Sequence, residues 1–149
     1  MTSRALIKKM KNEIEGDKRT YLENCVNNYS EYVGAAQILF ADYYESMLKS
    51  LDEKKDAYTL YISKALECKE KGDVDGEKKH LKLAVENNAD TPYAYERLAI
   101  IYSKEKKYQE AYGICRKWFD SIYWKIPNMA STTLKILDRM EKLESKLGK

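Results

Sequence analysis

The apolar residues of this chain recur at helical spacings from end to end. The longest pattern alternates steps of four and three residues and consists of Leu22, Val26, Tyr29, Val33, Ala36, Phe40, Tyr43 and Met47. Such heptads are typical of the seams between packed helices. They predict one helix over about Lys18 to Lys54, which would be roughly 55 Å long at ~1.5 Å per residue.

The second half of this helix carries another apolar stripe. It consists of Ile38, Ala41, Tyr44, Leu48 and Leu51. A helix that is apolar on two faces is buried on two sides. Gly34 precedes this half. It either lies within a continuous helix, at a cost of about 1 kcal/mol relative to Ala, or marks a break into two helices.

The heptad pattern itself has two interpretations. In the first, it forms an intramolecular seam with the first helix and with the helices predicted over residues 57–126. In the second, its outer part, which lacks the second stripe, forms a homodimer. The residues expected at such a self-association surface are Leu22, Val26, Tyr29 and Val33.

Seven helices and no strands are predicted in all, which makes the fold class all-α. The first helix covers about residues 3–15, before Gly16-Asp17. After the long helix, Asp56 is the expected N-cap of the third. Gly72 is expected to end that helix in a left-handed conformation, and Asp73 to cap the next one.

The second half of the chain repeats with a period of 34 residues (102 − 68 = 34). The matching pairs are Tyr61 and Tyr95, Ala65 and Ala99, Cys68 and Tyr102, Gly72 and Lys106, Val74 and Tyr108, and Ala84 and Trp118. A fixed period of this size indicates stacked helical hairpins. The inward positions predicted for the first hairpin are Tyr58, Tyr61, Ile62, Ala65, Cys68, Val74, Leu81, Ala84 and Val85.

These residues resemble the tetratricopeptide repeat family over about Tyr58 to Tyr123. The family places an aromatic residue, a Leu-small pair and a Tyr on the first helix of each repeat, and small and aromatic residues on the second. The better copy matches with Tyr95, Leu98-Ala99, Tyr102, Tyr108, Ala111 and Cys115. The resemblance implies paired helices that stack into a binding scaffold.

Several positions depart from the family pattern. Lys106 replaces the Gly of the turn and Trp118 replaces a small residue, while in the earlier copy Lys64 replaces Leu and Glu77 replaces Ala. The repeat does not extend another 34 residues toward the N-terminus, because Gly34 would then occupy a Tyr position. Two repeats are fewer than the usual three, so the long helix and the last helix are expected to supply stacking partners.

In this family the first helices of the repeats line a concave groove. The resemblance implies that a peptide groove is formed here by Thr59, Ile62, Leu66, Lys69, Tyr93, Glu96, Arg97, Ile100 and Lys104. One subset of the family binds acidic chaperone tails through a clamp of Lys, Asn and Arg. Ile62 and Leu66 occupy two clamp positions, which excludes that specificity. The mixed groove suits an amphipathic helix or an extended peptide.

The last helix has the amphipathic pattern of a cap for the open end of the stack. Asn128 is its expected N-cap. The apolar run from Trp118 to Ile126 either contacts this cap or forms an exposed patch for a partner. The chain is therefore expected to consist of segments 1–56, 57–126 and 127–149 in one structural unit.

Composition and charge narrow the function classes. Charged residues make up 34% of the 149, and the net charge is +3. Lys and Glu alternate along the chain and form no basic cluster, so nucleic acid is not an expected partner. Cys25, Cys68 and Cys115 lack zinc-ligand spacing and suit a reducing compartment. No apolar run is long enough for a signal peptide or a membrane span, so a cytoplasmic location away from membranes is expected.

No catalytic site can be assembled from these residues. His80 is the only histidine and lies among lysines, and no glycine-rich phosphate loop is present. We therefore expect no cofactor, no metal site and no enzymatic activity. The predicted function is a non-catalytic scaffold or adaptor that binds a protein or peptide. The alternatives are a regulatory or sensor module, or a self-assembling structural component, of a bacterium or phage.

Overall fold

A computed structural model describes residues 2–50 and 57–149, without the side chains of residues 50, 57 and 58. In those ranges the chain forms nine α-helices, two short 3-10 helices and no strand, which confirms the all-α class. The α-helices are α1 Ser3–Gly16, α2 Lys18–Asn27, α3 Tyr29–Leu39, α4 Ala41–Ser50, α5 Ala57–Glu70, α6 Val74–Glu86, α7 Pro92–Lys104, α8 Tyr108–Phe119 and α9 Ala130–Leu147. The predicted cap Asp56 and stripe residue Leu51 lie outside the described residues.

The prediction of one long helix after Asp17 is wrong, because three helices occupy residues 18–50. The breaks fall at Asn28, with φ −122° and ψ 46°, and at Phe40, with φ −117° and ψ 43°. Both ψ values are far from the helical value near −42°. Gly34 lies inside α3, so neither break occurs at the glycine.

Gly72 and Lys106 end their helices in the same way, 34 residues apart. Gly72 has φ 75° and Lys106 has φ 60°. Behind them, the Asp73 amide donates to the Cys68 carbonyl at 2.8 Å and the Lys107 amide donates to the Tyr102 carbonyl at 2.9 Å. This is the Schellman arrangement, in which a left-handed residue closes the last helical turn. The predicted left-handed end at Gly72 is confirmed.

Tertiary contacts group the chain into two compact units. The first unit takes Met1–Lys54 and Ile122–Leu134, and the second takes Lys55–Ser121 and Lys135–Lys149. The division thus falls within α9. The sequence predicted three consecutive segments, residues 1–56, 57–126 and 127–149. The contacts instead place residues that are distant in the sequence in the same unit.

The first unit packs α1, α2 and α3 against one another and against the 3-10 helix Pro127–Met129. Its core is aromatic: the ring of Tyr21 lies 6.0 Å from those of Tyr32 and Trp124, and Trp124 is in an edge-on arrangement. The Tyr32 hydroxyl donates to Glu13 on α1 at 2.7 Å. Aromatic pairs of this geometry contribute about 0.5–1.5 kcal/mol beyond the burial of their area.

Asn128 does not act as the predicted cap of the last helix. It lies in the 3-10 helix before α9, where its side-chain oxygen accepts from the Tyr44 hydroxyl at 2.9 Å and its nitrogen donates to the Tyr29 hydroxyl at 3.0 Å. Asn128 therefore links α3 and α4 to this loop.

The second unit contains two helical hairpins in sequence, α5 with α6 and α7 with α8, and α6 also packs on α7. The rings of Tyr95 and Trp118 lie 5.0 Å apart in its core, and Trp118 is fully buried. Leu81, Ala84 and Val85 are buried as expected. Val74 is 52% exposed, so its predicted inward position is wrong; it is the first residue of α6.

The apolar run from Trp118 to Ile126 is split between the two cores. Trp118 is buried in the second unit, whereas Trp124 and Ile126 are buried in the first. Ile122 is 41% exposed and is the most accessible of its large apolar side chains. Most of this run is therefore core, and only Ile122 remains available as an exposed apolar residue.

Candidate functional site

The predicted groove residue Arg97 is held inside the second unit by Glu77. Its Nε donates to Glu77 Oε2 at 2.6 Å and a terminal nitrogen donates to Oε1 at 3.1 Å. The Glu77 side chain is only 2% exposed and that of Arg97 is 20% exposed. This hydrogen bonding raises the pKa of Arg97. The guanidinium is engaged with α6, and its role in a peptide groove stays a prediction.

Two other predicted groove residues, Glu96 and Ile100, open onto a cleft between α7 and α9. The cleft has a volume of about 280 Å³, and its remaining lining residues are Lys135, Asp138, Arg139 and Lys142 of α9. Ile100 is the apolar residue of this set, and the three cations come from one helix. The cleft combines an apolar contact with charged groups of both signs, as ligand sites commonly do.

Arg139, one of the residues that line this cleft, has a buried donor without a partner among the described residues. Its Nε is buried and has no hydrogen-bond acceptor in the described part of the chain. Buried donors are rarely left unpaired in folded proteins. Below the cleft, burial raises the pKa of Cys115 to about 12, although the nearby Arg139 charge acts in the opposite direction.

The sequence did not lead us to the α9 side of this cleft. The positions Lys135, Asp138, Arg139 and Lys142 follow steps of three, one and three residues, so they form one polar face of the helix. That pattern is also typical of a solvated face. The sequence therefore does not distinguish a binding face from a solvated face. Only the position of Ile100 in the same cleft does so.

The remaining groove positions do not line the cleft. On α5, Leu66 is 42% exposed, Lys69 is exposed, and Thr59 and Ile62 are half-buried. On α7, Lys104 is exposed, but the Tyr93 hydroxyl is buried without a hydrogen-bond partner in the described chain. Burial, and next the charge of Glu77, raise the pKa of Tyr93.

The predicted self-association surface is only partly accessible. Leu22 is fully buried in the first unit, which removes it from any such surface. Val26 is 43% exposed and Tyr29 is 47% exposed, while Val33 is half-buried. Association through the last three residues stays a prediction.

The described residues form neither a metal site nor a membrane-spanning helix. Among them, no three His, Cys, Asp or Glu side chains are grouped as metal ligands would be. His80 is half-buried, and its Nδ1 lies 2.8 Å from the Gly76 carbonyl one turn earlier, so this nitrogen donates. No α-helix in these ranges combines the length and apolarity that crossing a membrane requires.

Comparison with known proteins gives no relative from which a function could be transferred. No protein-family model, no curated protein and no solved structure matches this chain.

Proposed function

We propose that this chain is a non-catalytic scaffold or adaptor that binds a protein or peptide through its second unit. The observation that carries the proposal is the cleft between α7 and α9, which Ile100 and Arg139 line together. Such a site suits a segment that brings an apolar side chain and an acceptor oxygen together.

The sequence pattern supports the same proposal. The 34-residue repeat indicates a stack of helical hairpins. The resemblance to tetratricopeptide repeats implies that such a stack binds a peptide along the first helix of each hairpin. The paired caps at Gly72 and Lys106 are compatible with that register. Glu96 and Ile100 belong both to the implied groove and to the cleft.

The proposal is tested by affinity capture from native lysate, with partners identified by mass spectrometry and then titrated as purified proteins. We expect Ile100→Glu and Arg139→Glu each to weaken the partner's binding about tenfold or more, which is ~1.4 kcal/mol. Val74→Glu is the matched control, because Val74 is an exposed apolar residue of the same unit outside the cleft.

Circular dichroism must show that all three variants are folded. If folded Ile100→Glu and Arg139→Glu proteins bind every titrated partner as tightly as the Val74→Glu protein, the cleft is not the binding site. Arg97→Glu is unsuitable as a probe, because it would place a second carboxylate against the buried Glu77.

A further inference from the structure

Among the described residues, exposed large apolar side chains are more numerous in the first unit than in the second. Ile38 is 61% exposed and Leu48 is 62% exposed. The exposed large apolar residues of this unit, among those described, are Val26, Tyr29, Ile38, Met47, Leu48 and Ile122. Single exposed apolar residues are common, but a group of them around a concavity marks an interaction site.

A concavity exists where α3 changes into α4. The break at Phe40 separates the two helices, and the residues around it line a cleft of about 410 Å³ together with Ile122. We name this the α3–α4 cleft, lined by Ile38, Leu39, Phe40, Ala41, Asp42, Tyr43 and Ile122. Its volume is within the range of about 300–1,000 Å³ found for ligand pockets.

Aromatic contacts hold one wall of the α3–α4 cleft in place. The ring of Tyr43 lies 5.2 Å from that of Tyr44 and 6.0 Å from that of Tyr123, edge-on in both cases. Tyr44 is in turn fixed by its hydrogen bond to Asn128. The wall is therefore preorganised, which lowers the entropic cost of binding.

The charges of α3 and α4 define the chemistry of an occupant. These helices carry Glu31, Asp42 and Glu45 against one cation, Lys49. Asp42 lines the α3–α4 cleft, and no Lys or Arg does. Asp42, with Glu45 one turn further along α4, favours a cationic partner over nucleic acid or an anionic lipid at this cleft.

We propose that the α3–α4 cleft docks a cationic amphipathic segment of a partner protein. An apolar side chain of that segment packs between Ile38, Tyr43 and Ile122, and its Lys or Arg residues lie beside Asp42 and Glu45. This surface belongs to the first unit, so the proposal is independent of the binding function assigned to the second.

The test uses two fluorescent model peptides of ~18 residues, a length that supports a helix in water. Both peptides carry Leu at the same helical spacing. All remaining positions are Lys in one peptide and Glu in the other. Fluorescence anisotropy measures their binding to the full chain near 0.15 M salt. We expect the Lys peptide to bind about tenfold or more tightly than the Glu peptide.

Substitutions locate the binding site and test the charge argument. Ile38→Asp is expected to weaken the Lys peptide about tenfold, and Asp42→Lys with Glu45→Lys to reverse the preference toward the Glu peptide. Val74→Asp is the control, on an exposed apolar residue of the second unit, and should leave the affinity unchanged.

Three results would overturn the proposal. The first is equal binding of the two peptides, and the second is unchanged binding to a folded Ile38→Asp protein. The third comes from analytical ultracentrifugation: if Ile38→Asp converts a dimer into a monomer, the occupant of the cleft is a second copy of the chain.

Discussion

Lys106 occupies a backbone conformation that favours glycine. Its φ of 60° lies in the left-handed region, where Gly72 sits at the equivalent turn with φ 75°. A side chain in this region meets the following carbonyl, at a cost of roughly 1–2 kcal/mol, whereas glycine has no Cβ to clash. The cost at Lys106 is offset by the hydrogen bonds that close the helix end.

We expect Lys106→Gly to increase the free energy of unfolding by about 1 kcal/mol, because it removes this clash. Gly72→Ala should lower it by a similar amount, since it introduces the same clash at the equivalent turn. Urea denaturation followed by circular dichroism measures both changes. A destabilised Lys106→Gly protein would show that the Lys side chain contributes more than its backbone costs.

At the scale of elements, the contact between α6 and α7 depends on charged groups as well as on apolar packing. Glu77 and Arg97 form a two-bond ion pair in which Glu77 is almost completely buried. Lys78, the next residue of α6, donates to Glu105, which directly follows the end of α7, at 2.7 Å. Lys78 also lies 5.0 Å from the centre of the Tyr102 ring. The pair with Lys78 lowers the pKa of Glu105.

We expect Arg97→Met to destabilise the protein by about 3 kcal/mol, because it leaves the Glu77 carboxylate buried without a partner. The double variant with Glu77→Met should be clearly more stable than Arg97→Met alone, with a coupling energy of about 2 kcal/mol. Lys78→Met is the control on the more exposed pair and should have a much smaller effect. Additive single effects in the denaturation series would contradict a coupled pair.

The α2–α3–α4 segment shows what an apolar pattern can and cannot indicate. The heptad residues Leu22 and Ala36 are fully buried, as a seam predicts, but Met47 is 41% exposed. Spacing specifies which side chains share a face as long as the helix continues. Asn28 is a weak helix former, but Phe40 has no local signal for a break.

At the scale of the whole molecule, each unit contains one buried thiol. Burial raises the pKa of Cys25 in the first unit and of Cys115 in the second from 9.0 to about 12. The folded protein therefore keeps protons that the unfolded chain releases above pH 9. Their contribution to stability is complete below that pH and is lost as the pH rises toward about 12.

We expect the free energy of unfolding to fall between about pH 8 and 10, by about 1 kcal/mol for each buried thiol. Cys25→Ala and Cys115→Ala should each flatten this pH dependence, whatever they do to stability at neutral pH. Burial also raises the pKa of the half-buried Cys68, so the control is Val74→Ala, which removes no titratable group. An identical pH profile in the Cys25→Ala and Cys115→Ala proteins would show that these thiols do not titrate differently in the two states.

The sequence by itself determined the all-α class, the bounds of α1 and the helix ends around residues 72 and 73. These features follow from local interactions: side chains three or four residues apart share a helical face, and a cap bonds to the nearest turn. Glu96 and Ile100 were implied as groove residues only by the resemblance to tetratricopeptide repeats, and that role stays a prediction.

Only the tertiary structure decided the features that depend on residues distant in the chain. Glu77 engages Arg97 from 20 positions away, and α9 supplies Lys135, Arg139 and Lys142 to the cleft beside Ile100. Likewise, Ile122 meets the break at Phe40 across most of the chain. Local periodicity fixes which face a side chain occupies, but its partner depends on which distant surfaces bury the most apolar area and satisfy the most charges.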